Sequence, residues 1–399
     1  MKKGENPYTV LDLFAGAGGM SLGFTQAGFS VIGGVEIWSP AARTYEKNHR
    51  SSRLIEGDIR SLDVQDAIYE LHKEKNVDII IGGFPCQGFS IAGNRDPLDS
   101  RSQLYREYLK IVKMIKPLMF VMENVKGLVS MRVIPPDLPQ KEIEFLKDTL
   151  KKIQRYKDLK RYCAQRELID DEEKEYTGLK EIYPDLKQDV ESVLVPLLPL
   201  IQSEIESLGY TPTYKVLNAT LYGSAQSRQR IFIAAIRNDL QGTYSFPEPL
   251  ITNPRTVKEA IGDLENIGEG EIANHEFTEH ATAFVKRLAK VKPGETLYKR
   301  YSDAWWRLVP DQPSRTVKEN HGAVFIHYNQ DRVITPREMA RLQDFPDDFV
   351  FLGPKSTVLK QIGNAVPVRL SKAIAISIKE CLSTATVTPF TEQLKIIEE

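Results

Sequence analysis

The chain predicts an α/β fold: a largely parallel sheet flanked by helices, with a helical insertion and a smaller loop-rich domain. Three observations lead there. From Tyr8 to about Gly127, short apolar runs alternate with longer amphipathic ones, the texture of successive strand–helix units. Between Met131 and about Ile205 dense mixed charge takes over, and Ile143, Leu146, Leu150, Ile153, Tyr156, Leu159 and Tyr162 fall three or four residues apart, as in an amphipathic helix. From about Arg237 to Phe349 the chain is rich in Gly, Pro, Asn and aromatics and has no sustained helical period.

The expected strands of the first region are Thr9 to Phe14, Ser30 to Val35, Arg53 to Glu56, Val77 to Ile81 and Leu118 to Met122, with helices starting near Gly19, Ser39, Asp63 and Arg101. Strand texture resumes at Thr213 to Leu217 and Ile231 to Ile236. The α/β domain is therefore expected over residues 1–236 and 350–399, interrupted by a helical insertion at about 132–205, with the smaller domain at 237–349.

Composition bounds the function. The 399 residues are 41% hydrophobic and 27% charged, an ordinary globular balance. With 53 basic residues against 54 acidic ones, the chain offers nucleic acid no global attraction, so any basic surface is local. One such stretch exists. Lys286 to Lys318 holds nine basic residues against three acids together with Tyr298, Tyr301, Trp305 and Trp306, whereas Glu259 to Glu279 holds seven acids and no lysine or arginine. The three cysteines, Cys86, Cys163 and Cys381, suggest neither a disulfide framework nor a metal cluster, and a reducing cytoplasm is expected. The longest apolar run, Val193 to Ile201, contains two prolines and falls short of the ~20 residues a membrane helix needs. No apolar signal core follows Met1-Lys2-Lys3, so a soluble intracellular protein is expected.

The first chemistry-bearing motif, Asp12 to Ser21, runs from a strand through Gly16, Gly18 and Gly19 into a helix, where small residues let backbone approach a ligand. A dinucleotide fingerprint starting at Gly16 needs a glycine at Ser21, so nicotinamide binding is disfavoured. Glu36, at the next strand end, is placed to accept from two ribose hydroxyls, and Asp58 could accept from an adenine amino group. An adenosine held without a pyrophosphate cradle describes S-adenosylmethionine. Each feature alone is as readily a plain turn or a solvated strand end; the three in order are not.

Val77 to Ser90 delivers Cys86 into the loop Gly82-Gly83-Phe84-Pro85 at the carboxyl end of an apolar strand, with Pro85 stiffening its presentation. That setting favours a nucleophile over the small buried apolar residue expected of Cys163 and Cys381. Glu123, in Met122-Glu123-Asn124-Val125, becomes an acid of raised pKa if it faces the same cleft, and a solvated strand end otherwise. Gln226-Ser227-Arg228-Gln229-Arg230 and Gln361-Ile362-Gly363-Asn364-Ala365-Val366-Pro367 are not diagnostic singly.

Together and in this order, with Arg332 to Asp347, these motifs resemble the series of the DNA (cytosine-5) methyltransferases of bacterial restriction–modification type. The resemblance runs from Asp12 to Pro367 and leaves out Met131 to Ile205 and the interior of the small domain. Two departures stand out: Ser224-Ala225 where the family often has Val-Pro, and Asp344 where it usually has glycine.

The resemblance implies a Rossmann-like S-adenosylmethionine-dependent catalytic domain and a target-recognition domain at 237–349. Cys86 attacks carbon 6 of a cytosine rotated out of duplex DNA, Glu123 engages ring nitrogen 3, Arg230 the ring carbonyl, and Arg228 orients the acid or a phosphate. Phe14 packs on the adenine, Ile37 or Trp38 covers its other face, Glu36 binds the ribose, Asp58 binds the adenine amino group, and Gly83, Pro85, Leu104, Asn364 and Val366 line the methionine end. A monomer without metal is expected, acting on double-stranded DNA beside a cognate restriction endonuclease. The alternatives are an RNA cytosine-5 methyltransferase, whose characteristic Cys-Phe-Thr element is absent, and an inactive DNA-binding relative, against which Cys86, Glu123 and Arg230 all stand.

Overall fold

The structure is a computed structural model that describes residues 7–85, 104–135, 137–250, 253–298, 305–318 and 325–387. The chain divides into two compact units, one of Met1–Pro85, Tyr105–Lys126 and Ile205–Glu399, the other of Cys86–Leu104 and Gly127–Glu204.

In the first unit β1 (Thr9–Leu13), α1 (Gly19–Gln26), β2 (Ser30–Glu36), α2 (Ser39–Asn48), β3 (Arg53–Glu56), α3 (Leu62–Lys75), β4 (Ile79–Gly83), α4 (Leu104–Ile115) and β5 (Met119–Val125) alternate along the chain. The second unit supplies β6 (Arg132–Val133), α5 (Gln140–Cys163), α6 (Asp170–Val193) and β7 (Val195–Pro196), and α7 (Leu197–Ser207) leads on to β8 (Tyr210–Asn218) and β9 (Gln229–Arg237). The main sheet has the order β3-β2-β1-β4-β5-β9-β8. Its first five strands are mutually parallel; β9 runs antiparallel to β5, and β8 to β9.

The central strands are apolar throughout because helices cover both faces. Val10, Leu11, Leu13, Ile79, Ile80 and Ile81 are fully buried. Asp12 is the exception within β1: Ser21 Oγ donates to its carboxylate at 2.6 Å, and burial pushes its pKa up to about 7. Strand order reverses direction between β1 and β4, so a crevice opens at their carboxyl ends, where the Gly16–Gly19 turn and Gly83-Phe84-Pro85 emerge.

The structure lengthens several expected strands. β5 continues to Val125, which puts Glu123 inside the strand; β8 and β9 each gain residues at both ends. Their antiparallel sense brings the start of β9, with Arg228 and Arg230, to the carboxyl end of β5.

In the second unit the expected helical stretch is two helices of 24 residues each. Leu146 and Ile153 of α5 pack against Leu186 and Val190 of α6, and Tyr156 stacks on Tyr176 with ring planes 3° apart.

Between 237 and 349 elements are short: β10 (Leu240–Gln241), α8 (Val257–Ile261), α9 (Thr282–Leu288), β11 (Trp306–Arg307), β12 (Phe325–Ile326) and α10 (Pro336–Leu342). The apolar side chains of α8 and α10 share one core with α11 (Lys355–Asn364) and the start of α12 (Val368–Thr384), whereas Leu288 of α9 packs with Ile326 of β12 and Leu240 of β10 joins the core of the main sheet; after α12, β13 (Thr386–Val387) pairs with β10.

Just beyond α10, Asp344 adopts φ 67°, which explains why glycine suits this position. Its side chain is wholly buried, neither oxygen accepts a hydrogen bond, Ser224 Oγ faces it outside hydrogen-bond geometry, and Arg369 Nε lies 3.6 Å away. The two sequence departures thus meet in the fold. Burial pushes the Asp344 carboxyl up to about 7 against the pull of Arg369 and Arg255. Because the folded value exceeds the ordinary carboxyl value of 3.8, stability falls as pH rises from about 4 to about 7 and stays lowered above. Asp344→Gly should therefore melt at a higher temperature than the native chain at pH 8, with the gap narrowing towards pH 5; a gap independent of pH in thermal melts would contradict this account.

Candidate active site

The turn after β1 is built from unusual backbone. Phe14 (φ 57°), Gly16 (φ 57°) and Gly18 (φ 94°) all lie in the left-handed region, and Gly18 N donates to Ala15 O at 2.9 Å to close the turn. The glycines are needed for different reasons. A Cβ on Gly16 would meet open space, one on Gly18 would sit 2.1 Å from His49 Nε2, and one on Gly19 would sit 2.7 Å from Val366 O. The last contact brings Val366 against the turn.

Glu36, at the end of β2, is buried, and its two oxygens accept from Gly16 N (2.8 Å) and Trp38 N (2.7 Å). Burial raises its pKa, opposed by these bonds. The carboxylate thus fixes the turn and keeps lone pairs free to accept from a ligand. Ile37 is 60% exposed beside it, and Trp38 is half-buried beneath Lys360 Nζ, 4.9 Å from the ring centroid. Asp58 departs from the simple expectation: Arg60 holds its carboxylate through Nε (3.0 Å) and Nη2 (2.5 Å), which keeps it below the usual carboxylate range. The open space over Gly16, the exposed apolar Ile37 and the paired acids suit an adenosine.

One strand across, Glu123 lies opposite Gly83 in the parallel β4–β5 register, and a Cβ on Gly83 would stand 2.7 Å from its Oε2. Val125 lies opposite Arg230 in the antiparallel β5–β9 register, so Glu123 and Arg230 are diagonal neighbours on one face. Arg230 Nε approaches Glu123 Oε1 to 2.9 Å, with the side chains only 14% and 12% exposed. Burial raises the Glu123 pKa, and Arg230 and Arg228 pull it back. Asn124 Nδ2 donates to Phe84 O at 3.0 Å and so anchors the chain where it leaves β4 towards Pro85. Cys86 itself lies outside the described residues.

Arg228 does not bind Glu123 directly. Its Nη1 donates to Val317 O (2.6 Å) and its Nη2 to Gly363 O (2.9 Å), and burial, with Arg230 beside it, pushes its pKa well below the ordinary value. Sequence reasoning missed this role and assigned none to Gln226 or Gln343, although both lie within motifs it singled out. Leu104 opens α4. Among the described residues no group of three or more His, Cys, Asp or Glu is arranged for a metal ion, and no helix is long and apolar enough to cross a membrane.

In the basic stretch Arg315 lies 3.3 Å over the Trp306 ring, and Arg287 stands between Phe284 (5.5 Å) and Tyr298 (5.2 Å). Arg307 is a correction to that reading. It is 4% exposed and holds Leu288 O, His327 O and Asp331, so it serves the interior. Tyr301 lies outside the described residues.

The profile of the C-5 cytosine-specific DNA methylases matches residues 8–157 and 196–380. Type II methyltransferase M1.HphI of Haemophilus parahaemolyticus is 34% identical over 92% of this chain and 85% of its own length. Type II methyltransferase M.FnuDI of Fusobacterium nucleatum is 32% identical over 94% of this chain and 95% of its own. Among solved structures, a candidate DNA modification methyltransferase encoded within an Escherichia coli prophage superposes with TM-score 0.66 at 25% identity, covering 94% of this chain and 99% of that one.

The glycine turn yields a differential expectation. Gly18→Ala meets both a disallowed φ and His49, whereas Gly16→Ala meets only the φ. Denaturant titration should show the first losing about 2–4 kcal/mol and the second about 1 kcal/mol; equal losses would argue against the His49 clash.

Proposed function

The chain belongs to the C-5 cytosine-specific DNA methylase family, whose members use S-adenosylmethionine, and from that premise we propose how its residues share the work of methylating carbon 5 of cytosine in DNA. The observation that carries the reading is the Glu123–Arg230 pair, held at 2.9 Å on the carboxyl edge of the sheet beside the strand that leads to Pro85 and Cys86.

Carbon 5 of cytosine is a poor nucleophile. Addition of the Cys86 thiolate to carbon 6 converts the ring to an enamine that is nucleophilic at carbon 5. Glu123, its pKa raised by burial, donates a proton to ring nitrogen 3 as the sulfur–carbon bond forms, and Arg230 holds the ring carbonyl. S-adenosylmethionine, when bound, supplies the methyl group as the electrophile. The carbon 5 proton then leaves to a base or water, the electrons reform the ring double bond, the Cys86 sulfur departs as thiolate, and ring nitrogen 3 returns its proton to Glu123. For the methyl donor, Gly16, Gly18 and Gly19 offer approachable backbone, Glu36 takes the ribose hydroxyls, Phe14 and Ile37 or Trp38 flank the adenine, and Asp58 takes its amino group in competition with Arg60. Gly83, Pro85, Asn364 and Val366 form the methionine end.

Since the reacting atoms are inaccessible in a duplex, the target base is flipped out, with 237–349 as the recognition domain on the catalytic domain of 1–236 and 350–399. The aromatic-backed cations Arg287 and Arg315 suit phosphate contact. The 132–205 helices decorate the catalytic domain. The chain would act as a cytoplasmic monomer that protects a DNA sequence against a cognate endonuclease; of this, the relatives' Type II names support the restriction–modification setting.

Duplex DNA carrying 5-fluorocytosine at the target blocks the final elimination. The native chain should form a covalent complex on it that Cys86→Ser abolishes; an adduct surviving in the variant would remove Cys86 from its role. Because protonated Glu123 is the active form, the rate should fall as pH rises through its raised pKa, and Glu123→Gln should lower kcat by about 10²–10⁴ and flatten that limb. An unaltered limb in the variant's pH–rate profile would assign it to another group.

A further inference from the structure

The last turn of α11 ends at Asn364, and its carbonyls need partners from outside the helix. They receive them from two distant side chains. The Gln343 amide donates to Ile362 O (2.8 Å) and Ala365 O (3.3 Å), and Arg228 Nη2 donates to Gly363 O (2.9 Å). A cation at a helix C-terminus also complements its dipole. Gln226 joins the two caps: its carbonyl accepts from Val317 N (2.7 Å), whose own carbonyl takes Arg228 Nη1 (2.6 Å), and its amide donates to Gln343 Oε1 (2.8 Å) and Leu342 O (3.1 Å). Gln226 and Gln343 are 0% exposed and Arg228 is 2% exposed, so these bonds are shielded from bulk solvent.

We propose that Gln343, held by Gln226, is a positioning residue for the methyl-donor pocket: it caps α11 from outside the helix and so sets the path of the chain through Asn364 and Val366. The Val317 contacts place the end of the basic stretch on the same network. The inference rests on the reading that Asn364 and Val366 line the methionine end of the site.

Gln343→Glu keeps the oxygen that accepts from Gln226 but turns an acceptor towards the α11 carbonyls; Gln343→Asn keeps the amide one methylene short of them. In the full chain, binding of S-adenosylhomocysteine is measured by calorimetry, duplex DNA binding by anisotropy without cofactor, and folding by thermal melt. Losing buried donors to two carbonyls should raise the S-adenosylhomocysteine Kd roughly tenfold or more in the glutamate variant and by less in the milder asparagine variant, with DNA affinity within about twofold of native. The KM for S-adenosylmethionine should rise with that Kd. Cofactor affinity unchanged in a folded variant, or both affinities falling in proportion, overturns the proposal. Asn364→Ala separates this failure from that of the underlying reading: if it weakens cofactor binding while the Gln343 variants do not, only the positioning role falls, and if it does not, the assignment of this turn to the methyl donor falls.

Discussion

The carboxyl edge of the sheet is organised around one buried ion pair, Glu123 with Arg230. Taking both charges out of water costs several kcal/mol for each, and only close, fixed geometry offsets it. The backbone supplies that geometry. Parallel pairing sets Glu123 beside Gly83, whose missing Cβ leaves room for the carboxylate, and antiparallel pairing sets Arg230 on the diagonal. A β9 running the other way would carry its arginines to the opposite edge, far from the strand that leads to Cys86. The burial that makes the pair costly also raises the Glu123 pKa, so the fold's expense and the site's chemistry have one origin.

Buried arginines do a second job. Short helices and two-residue strands leave many carbonyls between 237 and 349 without ladder partners, and guanidinium forks supply the missing donors. Arg307 serves Leu288, His327 and Gln330; Arg337, wholly buried, serves Ala273, Pro346 and Phe349. Arg228 belongs with them in using its charge to join segments. Arginine in this region therefore does not by itself signal contact with DNA.

This distinction shows what the sequence could and could not reveal. The five parallel strands were legible because apolar runs of that length between amphipathic helices have few other uses, and the glycine turn and Glu36 followed from their places at strand ends. The direction of β8 and β9 was not legible, since alternation of side chains is the same in either sense. Nor was the split of the basic stretch into Arg287 and Arg315 against aromatic rings and Arg307 in the interior. The Asp58–Arg60 pair is two residues apart, yet nothing in composition favours it over a solvated acid. Gln226 and Gln343 lie 117 residues apart, and a buried amide pair has no local signature.

The second unit carries a different kind of consequence. Val133 pairs with Val195 and Arg132 with Pro196, so the chain departs and returns in adjacent backbone register around the α5–α6 hairpin. The family profile resumes at residue 196, having passed over 158–195. A segment whose two ends are already joined adds little closure entropy whatever its length. This ladder is therefore a natural graft point: a tight turn could replace the hairpin, or a foreign domain could be spliced in, giving a DNA-modifying enzyme a tethered passenger without a terminal linker.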